Sequence, residues 1–96
     1  MSGSAEGEFT VRSALGLHAR PAGRFVALVA DFECEISVAK GDEWVNGGSV
    51  LSILSLAAAK GTVLRIRAIG DGAALAVEQL GALLELEEEV PAPPPG

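Results

Sequence analysis

The hydrophobic periodicity of this chain switches repeatedly between two and 3.6 residues, and nothing else in the sequence constrains its fold as strongly. Residues 8–12 alternate, which predicts a strand with Phe9 and Val11 on one face. Residues 19–31 place Ala22, Phe25, Val26, Val29 and Ala30 at i, i+3, i+4, i+7 and i+8, the stripe of an amphipathic helix. Cys34, Ile36 and Val38 alternate with polar neighbours, residues 40–43 make a turn, and Trp44 and Val45 begin a third strand, so the pair predicts a hairpin. Ser49 can N-cap a short helix that runs to about Ala58 and is closed by Gly61. Residues 62–69 alternate again, with Leu64, Ile66 and Ala68 inward and Val63, Arg65 and Arg67 outward. After the turn at Gly70, Asp71 and Gly72, residues Ala73, Ala76, Val77, Leu80, Leu83 and Leu84 mark a last helix. Gly81 weakens that helix by about 1 kcal/mol relative to Ala.

The predicted order is β-α-β-β-α-β-α, an α+β class. A central hairpin flanked by helical crossovers suits an antiparallel sheet with helices packed on one face. With 96 residues the chain has room for one core. Residues 1–7 are small and polar and predict a flexible leader, residues 8–88 the folded domain, and residues 89–96 a Pro-rich tail or linker. That tail suits either a spacer between modules or the end of a free-standing protein.

Composition removes several functions. The net charge is −6, with much of the acidity at Glu85, Glu87, Glu88 and Glu89, which disfavours binding to a nucleic-acid backbone. No phosphate-cradling or dinucleotide-binding glycine loop is present, so no cofactor is expected. One His and one Cys do not make a four-ligand zinc site, so no metal is expected either. Cys34 is expected to be a buried, inert thiol, and Trp44 to pack at the hairpin. Residues 1–7 hold no apolar signal segment, and no apolar run approaches the roughly 18 residues of a membrane span, so a soluble cytoplasmic protein is expected.

The chemistry concentrates at residues 15–22. Gly16 frees the backbone to turn, His18 falls at the helix N-cap or just before it, and Pro21 sits in the first turn, where a missing N–H costs nothing. The first N–H groups of that helix, at Ala19 and Arg20, carry the positive end of its dipole and can meet an anion held beside His18. The Arg20 guanidinium can fork onto phosphoryl oxygens. A neutral imidazole, with an ordinary pKa of about 6.5, is a competent nucleophile toward phosphorus near neutral pH. The N–P bond it forms is labile, which suits onward transfer.

The stretch Gly16-Leu17-His18-Ala19-Arg20-Pro21-Ala22 resembles the active-site motif of HPr, the histidine-containing phosphocarrier family of the phosphoenolpyruvate-dependent sugar phosphotransferase system. Residues 45–61, which contain Asn46-Gly47-Gly48-Ser49, resemble that family's regulatory serine segment. The resemblance covers residues 8–87. It implies an open-faced sandwich of four antiparallel strands and three helices, with no cofactor. It also implies that Enzyme I phosphorylates His18 on Nδ1, that Arg20 is the active-site arginine, and that an EIIA domain receives the phosphoryl group from a monomeric carrier. Ser49 matches the regulatory serine, a kinase target in some bacteria; the plain alternative for Ser49 is an N-cap contributing about 1 kcal/mol.

Arg24 and Ala27 continue the exposed face begun by Arg20. Val50, Leu51 and Leu54 supply either an apolar docking patch or ordinary core packing, Leu54 being the weakest docking candidate. Some residues depart from the family pattern. Leu15 replaces a small polar residue, Ala27, Ala30 and Ser52 stand where relatives carry lysines, and Gly48 precedes Ser49 where lysine is frequent. These leave the docking face less basic without touching His18 or Arg20. Three further readings compete: a module of a multiphosphoryl transfer protein, a phosphoryl donor to a dihydroxyacetone kinase, and a non-catalytic regulatory module acting through Ser49. Retention of both His18 and Arg20 argues against the last.

Overall fold

The computed structural model describes residues 3–86. The elements are β1 (Gly3–Thr10), α1 (Ala19–Val29), β2 (Cys34–Lys40), β3 (Glu43–Asn46), α2 (Val50–Ser55), β4 (Val63–Gly70) and α3 (Ala73–Leu84). Their kinds and order are those the periodicity predicts. The strands form one antiparallel sheet in the order β1-β4-β2-β3. The inward residues of β2 and β4, Ile36, Val38, Leu64, Ile66 and Ala68, are buried together with Ala22 and Phe25 of α1, Ile53 of α2, and Ala76, Val77 and Leu80 of α3. The helices thus cover one sheet face.

The other face is open and polar. In the sheet register Glu6 lies opposite Arg67 and Glu8 opposite Arg65. Arg67 Nε donates to Glu6 Oε1 at 3.1 Å, and Arg65 Nη1 lies 3.9 Å from Glu6 Oε2. Both guanidinium groups stack on Trp44, 4.1 Å (Arg67) and 5.0 Å (Arg65) from the ring centroid. Trp44 does pack at the hairpin, but from the open face rather than within the core.

Several boundaries differ from the expectations. Residues 3–7 of the supposed leader belong to β1, because Gly3 through Thr10 pairs in register with β4 over the whole strand. β1 stops at Thr10, short of Arg12. Helix α1 ends at Val29, and turn bonds from Asp31 N–H to Leu28 O (3.0 Å) and Phe32 N–H to Val29 O (3.1 Å) lead the chain away. Helix α2 ends at Ser55 instead of Ala58. Ala57 there adopts φ 49°, a left-handed conformation that breaks the helix, and Lys40 Nζ donates to the Leu56 carbonyl at 3.1 Å. Cys34 is half-buried rather than buried, and its thiol donates to Asp71 O at 2.9 Å. The Pro-rich tail of residues 89–96, with residues 87 and 88, lies outside the described residues.

Gly81, read as a weak point of α3, has a packing purpose. A Cβ at this position would overlap the Phe9 ring, so the missing side chain lets β1 and α3 approach. Contact across the sheet outweighs helix propensity here.

Candidate functional site

The loop that carries His18 is fixed by backbone hydrogen bonds to the segment preceding β4. Val11 N–H donates to Thr62 O (2.9 Å), and Gly61 N–H donates back to Val11 O (2.7 Å). Further along, Gly16 N–H donates to Ser13 O (2.9 Å), and Leu17 N–H to Ala58 O (2.8 Å). Gly16 is indispensable to this crossing. Its φ is +73°, and a Cβ there would stand 2.6 Å from the Ala58 carbonyl oxygen. Leu17 is buried immediately before His18, so the loop is anchored from both backbone and side chain.

His18 is the N-cap residue of α1, extended at φ −93° and ψ −169°, and its carbonyl accepts the Ala22 N–H at 3.0 Å. Its side chain does not cap the helix, and no acidic residue occupies the first turn. The residue is half-buried, with Nε2 covered. Ala19 and Arg20 open the helix on the surface, and Pro21 follows within the first turn. Nothing anionic in that turn competes for the positive end of the helix, an arrangement suited to a transient phosphate.

Residues 5–85 match the family model described as the PTS HPr component phosphorylation site. The chain belongs to the HPr family. It is 41% identical over 70 residues to the phosphocarrier protein HPr of Neisseria meningitidis serogroup A, covering 73% of this chain and 79% of that protein. The crystal structure of a phosphocarrier protein HPr from Bacillus anthracis superposes with a TM-score of 0.82 at 32% identity, covering 86% of this chain and 99% of that one. A multiphosphoryl transfer protein of Haemophilus influenzae is 36% identical over 100 residues, covering 99% of this chain but 20% of the longer protein. Membership in HPr supports a carrier role in the phosphotransferase system.

Within this HPr fold, Arg20, Arg24 and Ala27 are all exposed along α1. The three apolar residues of α2 separate. Leu51 is 80% exposed, whereas Val50 and Leu54 are half-buried and pack against the core. Ser49 is the N-cap of α2, its Oγ accepting the Ser52 N–H at 3.2 Å. Helices α1 and α2 pack on one another, which brings their surfaces side by side.

Sequence reasoning missed the contribution of α3. A narrow apolar pocket beside the His18 loop is lined by Val11, Leu17, Pro21 and Arg24 on one side and by Leu83, Leu84 and Leu86 on the other. The signal was present as apolar residues persisting to the end of α3, but periodicity does not say which loop they meet. Leu15, 77% exposed, adds apolar surface next to the site. Among the described residues no group of three His, Cys, Asp or Glu is placed to hold a metal ion, and no helix is long and apolar enough to cross a membrane.

Proposed function

We infer that this chain receives a phosphoryl group from Enzyme I on His18 and passes it to an EIIA domain. The observation that carries this reading is His18 at the N-cap of α1, with Nε2 covered and no acidic residue in the first turn. Nε2 is enclosed, and this reading assigns the phosphoryl group to Nδ1. Its lone pair attacks phosphorus in line with the donor's leaving group. The donor–phosphorus bond breaks as the Nδ1–P bond forms, and the acceptor later attacks the same phosphorus and releases neutral imidazole. The backbone N–H groups of Ala19 and Arg20 and the Arg20 guanidinium take up the charge on the phosphoryl oxygens. Positioning does most of the work in such a transfer.

Docking uses Arg24, Ala27 and the exposed Leu51, with Val50 and Leu54 supporting Leu51 from below. Ser49 serves as a regulatory site: a phosphate on this N-cap adds nearly two negative charges beside Leu51 and weakens docking of an acidic partner. The match to part of a multiphosphoryl transfer protein favours a second setting, in which residues 8–88 form one carrier module and residues 89–96 a linker.

The test is incubation with Enzyme I and phosphoenolpyruvate. The expected result is an acid-labile mass gain of one phosphoryl group that His18→Ala abolishes. An unlabelled wild type beside an Enzyme I active on its own carrier contradicts the reading.

A further inference from the structure

Helix α3 brings a second surface to the His18 loop. The narrow pocket between them measures about 20 Å³, room for one water molecule or for the tip of one aliphatic side chain. Sites for cofactors and other small molecules start at roughly 300 Å³, so this pocket suits a side chain rather than a free ligand. Leu17, which directly precedes His18, and Leu84 line it and are both buried. Leu83 is half-buried, and Leu86 keeps 52% of its surface exposed.

Two side chains in the wall carry polar atoms, Ser13 and Arg24. Arg24 is exposed, and α1 contains no acidic residue to face it. Glu85, at the end of α3, is engaged elsewhere, its carboxylate accepting the Thr10 N–H at 3.0 Å. No described carboxylate pairs with Arg24. The pocket therefore offers an apolar recess with a guanidinium in its wall, and its complement is an aliphatic side chain carried beside a carboxylate. Arg24 also continues the exposed face of α1, so the recess and the docking face of that helix share a residue.

We propose that this recess between α1 and α3 is a docking subsite for the protein that exchanges the phosphoryl group with His18. An aliphatic side chain of that partner enters between Leu17, Leu84 and Leu86, and a neighbouring carboxylate of the partner pairs with Arg24. An anchor buried in a fitted pocket carries much of the binding energy, while the charge beside it fixes orientation. The end of α3 thereby takes part in partner choice alongside α1 and α2. The subsite rests on the carrier reading above, and the experiment separates the two.

The experiment records methyl NMR of the full chain with Enzyme I in the absence of phosphoenolpyruvate, then measures KM and kcat for the carrier once phosphoenolpyruvate is supplied. The methyl groups of Leu83, Leu84 and Leu86 are expected to shift on addition of Enzyme I. Leu86→Ser is expected to raise KM about fivefold with kcat unchanged, the size of effect that partial loss of one apolar anchor supports. Arg24→Glu is expected to raise KM by a similar factor and to flatten its salt dependence, because exposed ion pairs are screened. Leu75→Ser removes an equally exposed leucine from the other end of α3 and is expected to keep the wild-type KM. Pocket methyls that stay in place while the amides around His18 shift overturn the subsite and leave the carrier reading intact. So does a KM for Leu86→Ser equal to that of Leu75→Ser. Pocket methyls that move with carrier concentration alone assign the recess to a second copy of the chain, which also overturns the proposal. Pocket methyls that respond to Enzyme I while His18 receives no phosphoryl group support the docking and remove the carrier reading.

Discussion

Gly16 and Gly81 show how much of this molecule depends on absent side chains. Gly16 holds φ +73°, an added Cβ there would stand 2.6 Å from the Ala58 carbonyl oxygen, and it comes two residues before His18. Gly16→Ala therefore meets a disfavoured conformation and a clash with rigid backbone together. The expected loss is about 2–3 kcal/mol in denaturant unfolding, with a fall in phosphoryl transfer to His18 beyond what the unfolded fraction explains. At Gly81 propensity and packing oppose one another. Alanine gains about 1 kcal/mol of helix propensity, yet the Phe9 ring has to move, and overpacking of this kind costs about 1–3 kcal/mol. Gly81→Ala is expected to lower the melting temperature, while a double variant with Phe9→Leu recovers part of the loss. His18 and Arg20 were singled out in the sequence because an imidazole, a helix start and a guanidinium coincide within three positions of a motif resembling that of HPr, and the structure places His18 at the N-cap of α1 and Arg20 exposed in its first turn. The demands on Gly16 and Gly81 were not legible, since each is set by an atom distant in sequence.

At the scale of elements, every strand and helix followed from its periodicity, and the errors lay at the ends. The start of β1 was hidden because Ser4, Ala5, Glu6 and Gly7 carry little apolar contrast, and pairing with β4 is what orders them. The end of α2 was misplaced because Leu56, Ala57 and Ala58 all favour helix, whereas the chain turns left-handed at Ala57 and presents its carbonyls to Lys40. Ala58 then supplies the oxygen that holds Leu17, so Lys40 supports the His18 loop through the end of α2. Lys40→Met is expected to reduce the rate of phosphoryl transfer severalfold with little change in circular dichroism, and Lys40→Arg to restore it. Ser49→Ala removes the hydrogen bond to Ser52 and is expected to cost about 1 kcal/mol, measured as a lower unfolding midpoint. Loading of the proposed acceptor, His18, is expected to be unchanged, because the cap belongs to α2 and His18 to the start of α1.

The whole molecule divides its labour between two sheet faces. The covered face builds the core and orients α1 and α2, while the open face joins Glu6, Arg65, Arg67 and Trp44 in one polar and aromatic cluster. Arg67→Ala is expected to destabilise the domain by about 1 kcal/mol and to change Trp44 fluorescence, since stacking and an exposed ion pair are lost together. Transfer through His18 is expected to be unchanged, because this proposed acceptor lies at the start of α1, in the helical layer. The fold class was legible from the order of periodicities, but strand order and the arrival of the α3 end beside His18 were not. Both depend on which apolar faces meet, and several pairings satisfy the same pattern. The central claim is that one imidazole nitrogen holds the phosphoryl group. Phosphorus–proton correlation NMR on the chain freshly loaded by Enzyme I tests it most directly: the account predicts a single phosphorus bonded to Nδ1 of His18, and phosphorus found on Nε2 or on a serine contradicts it.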